Sequence, residues 1–414
     1  MIGVESPRIA LFCGGRGSAT IAEALLGLCP ESLTLIVNGY DNGLSTGRIR
    51  RLLPGMLGPS DFRKGLVHHL QGGSPADAAA LHLLEHRLAE GSTVADLSAI
   101  RDLVAYPIAS VEWSTHLDRD VAKRVLPELD AIIAHLRRPD VVFALDDCSL
   151  GNLVFAGAYL RRGRDFNAAI TRTTRAFGSP LTLANVTNGE NAYLVALKES
   201  GEILHDEADI VEPQSPSPIR RIFLIDSPMS PEELDSLTSL TADAKADRLT
   251  ARQAQLRLGD EAREAIANAD LIVYGPGTPH SSLLPSYLTP GVGEAIFANR
   301  GARKVLVTNL SADHDIRGYD ATMLASRTLE YLGDPKNTNR SLVTHVLAHR
   351  PSEEHGRPHP PLPGRPLGHD GPWRGATWID ADLQHPSRLG VHDGARAADL
   401  LIGLLTPAVS ESIA

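Results

Sequence analysis

The sequence predicts an α/β protein: a Rossmann-like, mostly parallel sheet with helices on both faces, a helical insertion and a smaller appended subdomain. Short apolar runs alternate with helix-like stretches, which is the pattern of βαβ units. Several of those runs end in turns of glycine and hydroxyl residues, where open α/β sheets collect ligands. The 414 residues, 43% hydrophobic and 22% charged, supply a full core and allow two or three domains, or one large α/β unit with insertions.

Arg8-Ile-Ala-Leu-Phe-Cys13 reads as a buried strand because apolar residues are unbroken from Ile9. After a glycine-rich turn, Thr20 to Leu28 reads as a helix, with apolar side chains at Ile21, Ala24, Leu25 and Leu28. Leu33 to Asn38 is the next strand. Further strands are expected at Val141 to Leu145, Leu181 to Val186, Ala192 to Leu197, Arg221 to Ile225, Leu271 to Tyr274 and Lys304 to Thr308. Asn152 to Arg161, Asp260 to Asn268 and Val292 to Asn299 read as helices.

The expected division is a nucleotide-binding core over 1–74 and 141–335 with a helical insertion at 75–140, where Pro127 is read as a helix-start residue. A loop follows at 351–373, and a C-terminal segment, 374–414, packs on the core. The loop carries seven prolines and four glycines. Its histidines, His355, His359 and His369, have no cysteine or carboxylate cluster beside them, so a metal tract is disfavoured.

Composition excludes several classes. Acidic residues outnumber Lys plus Arg by 50 to 40, for a formal charge of -10. That argues against a nucleic-acid binder, whose affinity leans on a basic surface. The three cysteines, Cys13, Cys29 and Cys148, show no metal-ligand spacing and suit a reducing compartment. No apolar run approaches the ~20 residues of a membrane helix, and the first residues lack the pattern of a signal peptide. The expectation is a cytoplasmic protein with no membrane partner.

Five turns could carry chemistry. Cys13-Gly14-Gly15-Arg16-Gly17-Ser18 lies between a strand and a helix. Its glycines would let backbone amides and the helix N-terminus meet a diphosphate. The spacing is not G-x-G-x-x-G, and no acid closes the second strand to hold a ribose, which disfavours a nicotinamide; alone, the turn reads equally as a tight βα connection. Tyr40-Asp41-Asn42-Gly43-Leu44-Ser45-Thr46-Gly47-Arg48-Ile49-Arg50 suits a phosphate or metal-phosphate site. There Arg48 could fork onto a phosphate, and Asp41 could hold Mg²⁺ or a substrate hydroxyl; a solvated loop is the alternative. Ser60-Asp61-Phe62-Arg63 is a candidate acid and base, or equally an N-cap with a surface ion pair. Ser149-Leu150-Gly151-Asn152 opens a helix. Gly275-Pro276-Gly277-Thr278-Pro279-His280-Ser281-Ser282 offers amides and hydroxyls that suit phosphate oxygens. His280 is also a lone acid/base candidate.

Taken in order, Gly14-Gly15-x-Gly17, Asp41-Asn42-Gly43-x-Ser45-x-Gly47-Arg48, Asp61-x-Arg63, Ser149-Leu150-Gly151-Asn152 and Gly275-Pro276-Gly277-Thr278 resemble the 2-phospho-L-lactate transferase (CofD-like) superfamily. The branch of gluconeogenesis factors, or nucleotide-sugar-binding regulators, looks most similar. This chain departs from the family pattern at Cys13, at Asn42 (where the family pairs two aspartates), at Ser60, and at Thr278, Pro279 and His280.

The resemblance implies a nucleoside-diphosphate-linked small molecule bound across the carboxyl edge of the sheet. It implies Mg²⁺ as the cofactor, held by Asp41, and no bound flavin or nicotinamide. In the transferase reading a phosphate-linked group passes to a small acceptor, with Asp41, Arg48, Asp61 and Arg63 as catalytic residues. The nucleotide and phosphate would contact Gly14, Gly15, Gly17, Ser18, Asn42, Ser45, Gly47, Asn152, Gly275, Gly277, Thr278 and Ser281. The alternative is a non-catalytic UDP-sugar-binding regulator of metabolism or cell-wall synthesis. A homodimer is a further expectation, though no stretch marks an interface.

Overall fold

The computed structural model describes residues 6–15, 17–70, 73–212, 215–312, 314–350 and 376–405. The loop 351–373 with its three histidines, and Arg16, lie outside the described residues. The strands are β1 (Ile9–Phe12), β2 (Leu33–Val37), β3 (Thr182–Asn185), β4 (Tyr193–Lys198), β5 (Ile203–Leu204), β6 (Ile219–Ile225), β7 (Leu271–Tyr274), β8 (Arg303–Val307), β9 (His345–His349) and β10 (Thr377–Ala381). Seven of them form one sheet in the order β10-β9-β8-β7-β1-β2-β3, with every neighbouring pair parallel. The other three form a small antiparallel sheet in the order β5-β4-β6.

Successive strand side chains point to opposite faces. Ile9 and Leu11 therefore join one apolar cluster, while Ala10 and Phe12 join a second. Both faces of β1 are buried, as a parallel sheet clothed by helices requires, and this is why β1 and β7 read as unbroken apolar runs. The sheet and its surrounding helices have the expected α/β architecture.

The helices that frame the site are α1 (Ala19–Leu28), α2 (Leu44–Leu52) and α3 (Ser60–Leu66). Between α3 and β3 come α4 (Pro75–Glu85), α5 (Val94–Ala105), α6 (Glu112–His116), α7 (Arg119–Leu136), α8 (Leu150–Arg161) and α9 (Phe166–Ala176), and α10 (Glu207–Val211) follows β5. Helix α7 crosses α8 so closely that a Cβ on Gly157 would overlap the Glu128 carbonyl oxygen. The fully buried Glu128 carboxylate is bridged there by Arg161 and Arg172, each at 2.9 Å.

Three expectations are corrected. Residues 141–145 are not a strand and join no sheet among the described residues. A strand needs a neighbour to satisfy its backbone. This run is instead pinned by turns, Val141 N–H to Arg138 O at 3.1 Å and Cys148 N–H to Leu145 O at 3.0 Å, with Val142 97% exposed. Pro127 does not start a helix but lies inside α7. The start belongs to Asp118, whose carboxylate accepts from the Asp120 and Val121 amides. Finally, β9 and β10 extend the main sheet with strands not anticipated from the sequence.

Candidate functional site

Strand β1 leads through α1 to β2 on one side, and β7 leads through residues 275–298 to β8 on the other. The strand order thus reverses between β1 and β7, and the crevice beyond their carboxyl ends is the ligand position such sheets create. The loops after these two strands pack backbone to backbone. A Cβ on Gly17 would come within 2.5 Å of Gly277 Cα, and one on Gly275 within 2.8 Å of the Phe12 carbonyl oxygen. A Cβ on Gly14 would lie 2.7 Å from Ser282 Cβ and 2.9 Å from Asp61 Oδ2. Gly15 has φ +66°, a left-handed conformation that suits glycine. These glycines have an immediate structural reason, the close approach of two loops, and that approach also brings them to one rim.

Beside the joined loops lies a cavity of about 380 Å³ lined by Gly17, Thr20, Gly277, Thr278, Asn309, Ser311 and His392. Ser18 opens α1 without a side-chain cap hydrogen bond. Asn309, at the end of β8, donates to the Gly277 carbonyl at 2.8 Å. Asn38, at the end of β2, donates to the Ser282 carbonyl at 2.7 Å and to Ser286 at 3.1 Å. Ser281 is buried, its hydroxyl 3.5 Å from that of Ser282. His280 is 1% exposed, and the Asp315 carboxylate accepts from its backbone N–H at 2.8 Å and faces its Nδ1 at 3.3 Å. The Cys13 thiol is pushed well up by burial and by Asp61.

A group of charges adjoins this rim. Asp41 is half-buried, and burial together with Asp61 raises its carboxyl above the usual range, against an opposing hydrogen bond from Gly43 N–H at 2.8 Å. Glu207, at the start of α10, is pushed up to about 8 by burial, Asp41 and Asp61. Lys64 donates to Asp61 at 2.7 Å, and that carboxylate raises the ammonium's pKa. Carboxylates are hard oxygen donors suited to a divalent cation, and Asp61 is near enough to raise the Asp41 carboxyl, so Asp41 and Asp61 fit Mg²⁺. Among the described residues no group of three or more His, Cys, Asp or Glu side chains is arranged to hold a metal. Other ligands would come from a bound phosphate and water, the usual manner of Mg²⁺.

The remaining candidates lie elsewhere. Asn42 accepts from the Glu207 amide at 3.0 Å and so tethers α10 instead of joining the carboxylates. A Cβ on Gly47 would overlap the Asn42 carbonyl oxygen, and Ser45 is buried in α2. Arg63 is 3% exposed, its Nε donating to Asn152 at 3.1 Å and its Nη1 to Glu85. Asn152 in turn donates to Ser60 at 3.1 Å, and Ser60 meets Thr46 at 2.6 Å. Arg48 Nη2 donates to the Asp146 carbonyl, away from the glycine rim.

Sequence reasoning missed Lys64 and Glu207 as contributors, and it read Arg50 only as part of a phosphate-binding run, not as a clamp. Lys64 carried a signal, its (i, i+3) spacing from Asp61. Arg50 donates to the Tyr40 and Asp41 carbonyls at 2.8 and 2.9 Å, and to Asn191 Oδ1 and the Ala192 carbonyl at 2.6 and 2.7 Å. It lies 4.4 Å from the Tyr193 ring centroid. It clamps the Asp41 loop onto the small sheet.

The fold and this rim define a doubly wound α/β protein with a crevice at the topological switch point. The family model for 2-phospho-L-lactate transferase CofD matches residues 9–359, and the chain belongs to that family. Among similar curated proteins, the gluconeogenesis factor of Bacillus subtilis (strain 168) is 26% identical over 309 residues, 74% of this chain and 68% of that protein. The gluconeogenesis factor of Halalkalibacterium halodurans is 26% identical over 331 residues, 80% of this chain and 75% of that protein. A crystal structure of a Bacillus halodurans protein superposes with a TM-score of 0.66 at 23% identity, covering 96% of this chain and 99% of that one; it shares the fold.

Proposed function

We propose that the protein binds a nucleoside-diphosphate-linked metabolite across the β1–β7 crevice and transfers a phosphate-linked group from it to a small acceptor. The observation that carries this reading is the adjacency of the Gly14–Gly17 and Gly275–Thr278 loops to the Asp41–Asp61 pair. Backbone amides of the two loops and the N-terminus of α1 would take the diphosphate. Mg²⁺ held by Asp41 and Asp61 would offset charge on the transferring phosphate. The acceptor hydroxyl oxygen bonds to the phosphorus distal to the nucleoside, the bridging P–O bond breaks, and nucleoside monophosphate leaves with that electron pair. The hydroxyl proton passes to solvent water, because a carboxylate that holds the cation is not free to take it. Catalysis of this kind is positioning and charge stabilisation and needs no covalent nucleophile. Arg63 acts as a positioning residue through Asn152.

A second reading, a regulator that binds a nucleotide sugar without turnover, is favoured by one observation: Asn42, where the family carries a second aspartate, is engaged as a tether for α10. The two readings separate in one assay. A transferase releases nucleoside monophosphate from a diphosphate-linked donor only when acceptor and Mg²⁺ are both present, and Asp41→Ala abolishes that release. Metal-independent binding of nucleotide sugars that survives Asp41→Ala, with no release under any condition, favours the regulator.

A further inference from the structure

A second cavity, of about 500 Å³, lies between the carboxyl-terminal half of α2, the end of α7 and the loop 140–144. Arg48, Arg51, His135, Arg138 and Arg164 line it, with a single carboxylate, Asp140. It shares no lining residue with the cavity at the β1–β7 rim. We propose that this cavity is a separate anion site that takes the phosphate or pyrophosphate of a small molecule.

The charge balance argues for it. Asp140 is engaged by Arg138 at 2.7 Å. Among the described residues Arg48, Arg51 and Arg164 make no ion pair, in a chain whose formal charge is -10. Three arginines without carboxylates around one concavity repel one another, and a bound anion removes that cost; guanidinium groups fork onto phosphate oxygens. Arg48 is held in place from the side, with Nη2 on the Asp146 carbonyl, while its Nε is buried without a hydrogen-bond partner.

Helix dipoles give a competing account, since cations collect in last turns. They explain Arg51 in α2 and His135 in α7. They do not explain Arg164, which lies beyond α8 with a left-handed backbone, φ 67°, a conformation that costs a non-glycine residue about 1 kcal/mol or more and collects at functional sites. The local potential also registers on His135, whose pKa is lowered by burial and then by Arg138 and Arg164. Leu52 and Phe143 complete the wall, and the volume suits a small molecule, not a polymer.

The test titrates the full chain with inorganic pyrophosphate and follows the His135 imidazole resonance, assigned by its loss in His135→Gln. The resonance should shift saturably. It should do so at least tenfold more weakly in Arg51→Ser/Arg164→Ser, two exposed positions whose replacement leaves the melting temperature unchanged. Gly17→Val, which obstructs the rim, should leave the titration as in the wild type while removing nucleotide binding, so either site can fail alone. A resonance that does not move, or moves equally in the double variant, overturns the proposal. So does a single-stranded oligonucleotide that displaces pyrophosphate and binds more tightly than it.

Discussion

Asp41 owes its position to Arg50, whose guanidinium fork spans the Asp41 loop and the two residues just before β4. Removing a buried guanidinium leaves several carbonyls without donors, at about 1–3 kcal/mol for each group left unsatisfied. Arg50→Ala should therefore lower stability by about 3 kcal/mol in chemical denaturation, and Arg50→Lys should not restore it, because an ammonium cannot reproduce a planar fork. Glu207 sets a pH dependence. Its carboxyl is raised to about 8 in the folded protein from 4.5, so between those values the folded state holds a proton that the unfolded chain has released. Stability is then complete below about pH 4.5 and falls as pH rises towards 8. Glu207→Gln should flatten denaturation midpoints measured between pH 5 and 8.5; a midpoint that rises with pH in the wild type contradicts this assignment. Asp41 and Asp61 were legible as acids beside glycine and arginine. Glu207 was not, because it arrives from a segment 146 residues after Asp61 (207 − 61), and nothing local distinguishes it from a surface glutamate.

The elements were legible wherever burial on both faces left an unbroken apolar run, as in β1 and β7, or a nearly unbroken one, as in β2. The run Val141 to Leu145 misled because composition does not report whether a strand has a neighbour. Strands β9 and β10 were missed for the complementary reason: His345, His349 and Asp380 interrupt their apolar character near the edge of the sheet. Glycines set the fit between elements. Besides Gly157 between α7 and α8, Gly394 opens the helix Gly394–Gly403, which packs on α1, and a Cβ there would overlap the Thr20 carbonyl oxygen. Gly157→Ala and Gly394→Ala should each destabilise by about 1–3 kcal/mol, since overpacking forces the backbones apart. Gly394→Ala should also weaken ligand binding at the rim, because Thr20 and His392 line that cavity and are joined by a 2.8 Å hydrogen bond. Equilibrium denaturation and ligand titration of the two variants separate the effects: Gly157→Ala should leave affinity unchanged.

At the scale of the molecule, the α/β class followed from the alternation of apolar runs and helical stretches. The order of the sheet did not, because β1 finds β7 across most of the chain and no local pattern records that pairing. No helix among the described residues is long and apolar enough to cross a membrane. A ligand that binds only the folded state raises stability by RT ln(1 + [L]/Kd), about 2.7 kcal/mol at a hundredfold excess over Kd. Nucleoside-diphosphate-linked compounds should therefore raise the melting temperature by several degrees, more so with Mg²⁺, and nucleosides without phosphate should not. The pairing of β1 with β7 has a consequence for synthesis. The central strand emerges from the ribosome first, whereas one of its two neighbours, at Leu271–Tyr274, is translated some 260 residues later. At about 5–20 residues per second, that flank of the central strand waits unpaired for roughly 13–50 seconds on the nascent polypeptide.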